Sequence, residues 1–384
     1  VAGPSDSSGR RRRPNWPLIL VLALALGVAL ALGATAIRRF AGPSAVTASA
    51  SKPMAFPELF ERVSPAVVSL RVAGQDRSAL RFLQPRGERA PTELSPAGSG
   101  FFVSGDGLVV TNAHLIEGAR AIGVKLQDGR VLPAEVVGVD ETIDLAVLKA
   151  RDPGNRSARF SYVDFADASK PRVGDWILAV GDPYGLGSAA TAGIVSAWGR
   201  DIDAAGLVEY LQLDAAINRG DFGGPSFDIY GRVVGVNTAM VSPDGGSIGI
   251  AFAIPADVAR DAVKQLATGK QIQRGFIGAT IQTLSADIAA AQGLAGRKGA
   301  LVAAVADGGP AERAGLKTGD VVVAVDGEPV ETSSALTRKV AAAGPNKSVR
   351  LDIIRDGRAR AVTVRTGMRP PPKELEGAFR EGPR

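Results

Sequence analysis

One turn carries the residues from which acyl chemistry could be built. Gly220, Gly223, Gly224 and Pro225 bracket a tight turn and leave backbone N–H groups free on either side of the residue between them, which is how a nucleophile and an oxyanion hole are made together. The residue on that turn is Phe222. A phenyl ring can neither attack a carbonyl nor give up a proton, so the setting for nucleophilic catalysis is present without its attacking atom. His114 is the only histidine. It closes a predicted strand over 108–111, and taken alone it is more often a structural residue, since a lone imidazole carries no geometry. Asp144 heads a predicted strand over 145–149 and alone could simply end a turn. The order His114, Asp144, glycine-flanked turn is that of one of the convergent catalytic triads, and the order gives each residue weight. Ser226 is no replacement: it lies four residues beyond Phe222, past Gly-Gly-Pro. A strand advances about 3.3 Å per residue, and a hydroxyl must come within about 3 Å of its base.

Around this turn, short β-branched runs broken by Gly and Asp recur from 98 to 253 (101–103, 108–111, 122–126, 131–139, 145–149, 176–180, 190–196, 209–213, 233–237, 249–253). That texture predicts an all-β barrel or sandwich, preceded by a strand over 64–72 and closed by a helix over 255–268 with Gly269 past its end. Residues 73–97 lack periodicity and read as a long loop. A basic connector, 270–274, leads to a small α+β module over 275–367. Its strands are expected at 276–282, 301–305, 321–325, 349–355 and 360–365, and its helices at 285–292, 310–314 and 333–343. The Pro-rich, charged tail 368–384 has no core-forming pattern.

Composition removes several functions. The 384 residues suggest two or three domains. Of the net charge of +6, residues 1–40 hold six Arg and one Asp, leaving about +1 for the rest, so there is no nucleic-acid footprint. The absence of cysteine removes disulfides, thiol nucleophiles and thiolate metal sites, and a single histidine leaves no ligand cluster, so no metal and no cofactor are expected. Arg10 to Arg13 precede an apolar run over 18–37. Its length matches a hydrocarbon core of about 30 Å at about 1.5 Å per residue. More Arg lie before the run than after, which puts residues 1–17 in the cytoplasm and the bulk of the chain outside. An uncleaved transmembrane anchor followed by a tether over 38–55 is preferred to a cleaved signal, whose apolar region should be shorter.

The motifs in order narrow the reading. Gly98-Ser99-Gly100-Phe101, Thr111-Asn112-Ala113-His114, Asp144-Leu145-Ala146-Val147-Leu148-Lys149, Ala179-Val180-Gly181-Asp182-Pro183-Tyr184-Gly185-Leu186, Thr191-Ala192-Gly193-Ile194-Val195-Ser196 and Asp214-Ala215-Ala216-Ile217-Asn218 resemble the HtrA/DegP family of exported serine proteases. Gly309-Pro310-Ala311-Glu312-Arg313-Ala314-Gly315-Leu316-Lys317-Thr318-Gly319-Asp320 with Asp326-Gly327 resembles a PDZ domain. Gly275, Phe276, Ile277 and Gly278 are similar to the carboxylate-binding loop of such a domain. The resemblance implies a chymotrypsin-like pair of β-barrels over 56–269 and a PDZ domain over 275–367. It further implies His114 as general base, Asp144 as its orienting acid, the backbone of Gly220, Asp221 and Phe222 as oxyanion hole, loops 181–188 and 240–252 around the specificity pocket, and trimers.

The family's nucleophile loop reads Gly-Asn-Ser-Gly-Gly-Pro after Asn-Pro, whereas this chain reads Asn218-Arg219-Gly220-Asp221-Phe222-Gly223-Gly224-Pro225. Three changes within four positions point to a degenerate site, in which His114 and Asp144 could persist merely as a pair holding two barrels together. The preferred expectation is a membrane-anchored, extracytoplasmic pseudoprotease of envelope quality control that binds unfolded proteins or C-terminal peptides through its PDZ domain. An active endopeptidase and a structural envelope component are the alternatives.

Overall fold

The computed structural model describes residues 45–46, 52–74, 94–155, 157–163, 165, 170–182, 186–200, 202, 206–371 and 374. The predicted span 18–37, most of the tether, the centre of the long loop and the end of the tail lie outside the described residues. Among those described, no helix is long and apolar enough to cross a membrane.

Two closed six-stranded antiparallel barrels follow the helix α1 (Phe56–Val63). The first comprises β1 (Val67–Ala73), β2 (Ser95–Phe102), β3 (Leu108–Thr111), β4 (Ala121–Lys125), β5 (Val131–Asp140) and β6 (Leu145–Ala150), joined in the order 1-2-3-6-5-4. The second comprises β7 (Trp176–Gly181), β8 (Ala189–Arg200), β9 (Tyr210–Leu213), β10 (Pro225–Asp228), β11 (Val233–Met240) and β12 (Ala251–Pro255). Its order, 7-8-9-12-11-10, repeats that of the first. Closure removes the free edges that many short strands would otherwise expose. The helix α2 (Ala256–Leu266) ends this unit.

The two-residue period of a strand divides the side chains between two cores. Phe102 points into the first barrel and stacks on Phe160 at 4.5 Å, whereas its neighbour Phe101 points the other way, against Phe165 in the layer between the barrels. That layer joins Leu145 and Val147 of the first barrel to Val180, Phe227 and Ile254 of the second. Leu59 and Val63 of α1 and Ala259, Val263 and Leu266 of α2 are buried in the same layer, so both helices seal the seam.

The PDZ-like module begins with β13 (Gly275–Phe276), which pairs with β20 (Gly367–Met368). Its main sheet runs β14 (Ala279–Thr283), β15 (Ala300–Val305), β16 (Val321–Val325), β18 (Ser348–Arg355), β19 (Arg358–Arg365), with β17 (Glu328–Pro329) beside β16. The helices α3 (Ala286–Ala291), α4 (Pro310–Arg313) and α5 (Ser333–Ala343) complete it. Thr332 caps α5 by accepting the Ala335 N–H at 3.1 Å.

Five local features differ from expectation. Residues 56–63 form a helix that only two turns of amphipathic spacing announce, and 64–66 continue it as a 3₁₀ turn rather than starting the strand. Ser95 to Ala97 belong to β2 and not to the loop, because Ser95 and Pro96 pair with Val72 and Arg71 across a bulge. The strand expected over 276–282 is broken at Gly278, and the tail contributes Met368 to β20.

Leu266 is fully buried where α2 meets both barrels. Leu266→Ala is expected to lower unfolding stability by about 2–5 kcal/mol, seen as a lower urea midpoint; an unchanged midpoint would show that α2 does not hold the seam.

Candidate active site

His114 and Asp144 come from the first barrel and meet at its mouth. The imidazole Nδ1 lies 2.8 Å from Asp144 Oδ2 and 3.0 Å from Oδ1. A carboxylate only accepts, so Nδ1 carries a proton, and in the neutral ring Nε2 then keeps its lone pair. Three further hydrogen bonds hold Asp144. Its Oδ1 accepts the His114 backbone N–H at 2.9 Å, its Oδ2 accepts the Thr238 hydroxyl, and its carbonyl accepts the Asn112 side-chain amide at 3.0 Å. These bonds hold Asp144 at φ +57°, a left-handed conformation that an L residue adopts only when its surroundings favour it. Thr238, on β11, reaches across from the second barrel. Sequence reasoning missed it; the only signal was a polar pair, Asn237-Thr238, continuing an apolar strand.

The turn 219–223 delivers Phe222 to the same place. The Phe222 ring is half-buried, packs against the cores of both barrels, and meets the imidazole edge to face at 6.1 Å between centroids and 75° between planes. The turn is locked to the first barrel by Ser99. The Ser99 N–H donates to Phe222 O at 2.8 Å, its hydroxyl donates to Gly220 O at 2.7 Å, and the same hydroxyl accepts the Asp182 N–H at 2.8 Å. Gly223, at φ +81°, lets the chain reverse here, and a Cβ on it would stand 2.3 Å from Ser99 O. The amides of Gly220 and Phe222 make no hydrogen bond among the described residues, whereas that of Asp221 donates to Asn218 O at 2.8 Å. Ser226 is buried and gives its hydroxyl to Asn237 Oδ1 at 2.7 Å. Of the loops expected around the specificity pocket, 183–185 lie outside the described residues; Gly187 N–H donates to Asp182 Oδ1 at 2.6 Å, and Ser247 N–H to Asn218 Oδ1 at 3.1 Å.

Asp221 follows its backbone into the interior. Burial pushes its carboxyl above the usual carboxylate range, the Asn218 N–H on Oδ2 opposes that shift, and the charge of Asp182 adds to it. The folded state thus holds the Asp221 proton more tightly than the unfolded chain does. The resulting penalty is absent below the ordinary Asp pKa and grows as pH rises through the raised one. Asp221→Asn is expected to stabilise the protein at pH 7, with the gain vanishing toward about pH 3–4. Urea titrations at both pH values check this, and an equal gain at both would contradict it.

A second candidate site lies in the module after 275. The edge strand β14 faces α5, and Phe276, Ile277, Ala279, Ile281, Leu336 and Val340 line the cleft between them. The carbonyls of Ile277 and Gly278 are taken by the amides of Ala311 and Ala306, at 2.7 and 2.9 Å, while the amides of Ile277 and Gly278 have no partner among the described residues. With Gly278 at φ +72°, the loop is a nest of donors at the end of an open strand edge. No group of three or more His, Asp or Glu among the described residues is arranged to hold a metal.

Comparison with known proteins agrees with this geometry. Residues 98–236 match the trypsin-like peptidase domain and residues 275–366 the PDZ domain. A Brucella suis protein named "Probable periplasmic serine endoprotease DegP-like" is 42% identical over 364 residues, covering 84% of this chain and 70% of its own. A Rhizobium meliloti protein of the same name is 41% identical, covering 85% and 72%. Among solved structures, the HtrA-type protease AlgW with decapeptide superimposes with a TM-score of 0.69 at 34% identity over 83% of this chain and all of its own. A serine endoprotease from Yersinia pestis gives 0.62 at 30% over the same shares. The chain therefore belongs to the HtrA/DegP family of serine endoproteases, in which a trypsin-like double barrel is followed by a PDZ domain.

Proposed function

We propose that this family member is a pseudoprotease that grips its targets without cutting them. The observation that carries the proposal is the Phe222 ring standing against His114, where a nucleophile's hydroxyl must stand. His114 would be the base and Asp144 its orienting acid, but no oxygen is there for them to activate. The Gly220 and Phe222 amides would serve an oxyanion, yet the neighbouring Asp221 carboxylate opposes a second negative charge, and the ring fills the approach of a scissile carbonyl. Family relatives are named as periplasmic. In keeping with them, residues 1–17 would be cytoplasmic, 18–37 a membrane anchor and 38–55 a tether, with the two folded units outside the membrane and trimeric.

Binding is assigned to the cleft between β14 and α5. A C-terminal peptide would add as a strand to β14, with its carboxylate on the amides of Ile277 and Gly278 and its last side chain among Ile281, Leu336 and Val340. The relative AlgW has been solved with a decapeptide and with a tripeptide, which supports a peptide ligand here. The intact His114–Asp144–Thr238 arrangement favours one competing reading, an endopeptidase with an unforeseen nucleophile.

Unfolded casein separates the two. The natural sequence is expected to cleave no faster than its His114→Ala variant. Asp221→Asn/Phe222→Ser is expected to cleave at least about 10³ times faster, and His114→Ala added to it should abolish the gain. Cleavage by the natural sequence that His114→Ala removes would overturn the proposal. For the cleft, amidating a peptide's C-terminus removes charge-assisted hydrogen bonds worth about 1.5–3 kcal/mol, so affinity should fall about tenfold or more. Equal binding of free and amidated peptides would sink the carboxylate assignment.

A further inference from the structure

Arg274 stands at the junction between the barrels and the PDZ domain. Its carbonyl accepts the Arg369 N–H at 2.9 Å, beside the β13–β20 ribbon, so its backbone belongs to the PDZ side. Its side chain reaches back into the first barrel. There the guanidinium grips Asp140, at the end of β5, with two bonds: Nη1 to Oδ1 at 2.7 Å, and Nη2 to Oδ2. The Asp140 side chain is 2% exposed and that of Arg274 15%. At that depth the partners hold each other in place, because removing either leaves a buried charge uncompensated.

What this ion pair closes is the turn that carries Asp144. Asp140 pairs with Leu145 across β5 and β6, and its Oδ1 also accepts the Thr142 N–H at 3.2 Å. The chain between them ends on Asp144 in its left-handed conformation, and the Asp144 carboxylate fixes the ring of His114. The PDZ domain is seated on the barrels at a second place as well. The groove helix α5 places Ala341 in the core between the barrels and pairs Arg338 with Glu209.

We propose that Arg274 and Asp140 are positioning residues: their ion pair fixes the turn 140–145, and through it the Asp144 carboxylate on Nδ1 of His114, so that the seating of the PDZ domain is felt at the imidazole. Neither residue touches His114. The inference rests on the geometry of the His114–Asp144 pair and is independent of whether the chain cleaves peptides.

Because His114 is the only histidine, ¹⁵N-histidine labelling of the full chain gives one imidazole spectrum. At about pH 9, above the ordinary imidazole range, the ratio of the Nδ1–H to the Nε2–H tautomer reports how firmly Asp144 holds the ring. Asp140→Asn/Arg274→Gln leaves no unpaired buried charge and is the main variant. It is expected to lower that ratio about tenfold, equal to about 1.4 kcal/mol of lost bias. Arg274→Lys keeps the charge but not the fork and should fall between it and the natural sequence. The control is Asp320→Asn/Arg355→Gln, which removes a comparably buried two-bond pair (side chains 1% and 18% exposed) inside the PDZ domain, and it should leave the ratio unchanged. An unchanged ratio in Asp140→Asn/Arg274→Gln would overturn the proposal. So would an equal fall in the control, which would trace the effect to general loosening.

Discussion

The contact between the Phe222 ring and the His114 imidazole bears most directly on what chemistry the barrel unit can perform. An imidazole held in one tautomer by a carboxylate presents its free nitrogen toward the neighbouring turn, and in a working protease that nitrogen takes a proton from a hydroxyl. Here the ring beside the imidazole is a phenyl, 6.1 Å away between centroids. An edge-to-face contact is a modest attraction, enough to settle a ring between two barrel cores and unable to take part in proton transfer. On the proposed reading, the ring takes the place of the attacking atom.

The surroundings of the ring hold the turn without it. Ser99 ties the turn to the first barrel through Phe222 O, Gly220 O and the Asp182 amide, and Gly223 and Asn237 bond across the start of β10. None of these bonds uses the side chain of residue 222. The backbone of the turn is therefore held whatever side chain residue 222 carries, and the Thr238–Asp144 bond does a similar stitching job between the barrels. The raised Asp221 carboxyl is the one element of the turn that strains against its burial.

Much of this was legible in the sequence, and what was not has physical reasons. The repeating β texture, the His114, Asp144 and 222 order and the Gly275 to Gly278 loop each carried a local pattern that chain order reinforced. The helix at 56–63 was hidden because its apolar residues span only two turns beside Pro57 and Pro65. Thr238, Ser99 and Asn112 were unreadable as site residues because a hydroxyl or amide in a strand says nothing about which carboxylate or carbonyl lies across the barrel mouth. The Asp140–Arg274 pair, 134 residues apart in the chain, exists only after both units have docked.

On the proposed reading, the His114 base has no hydroxyl beside it to activate. A fluorophosphonate probe tests that directly, since it bonds only to a hydroxyl activated by a base beside oxyanion donors. Mass spectrometry of the treated natural sequence should find no adduct at any serine, Ser226 included. A stoichiometric adduct at one serine, abolished by His114→Ala, would contradict it.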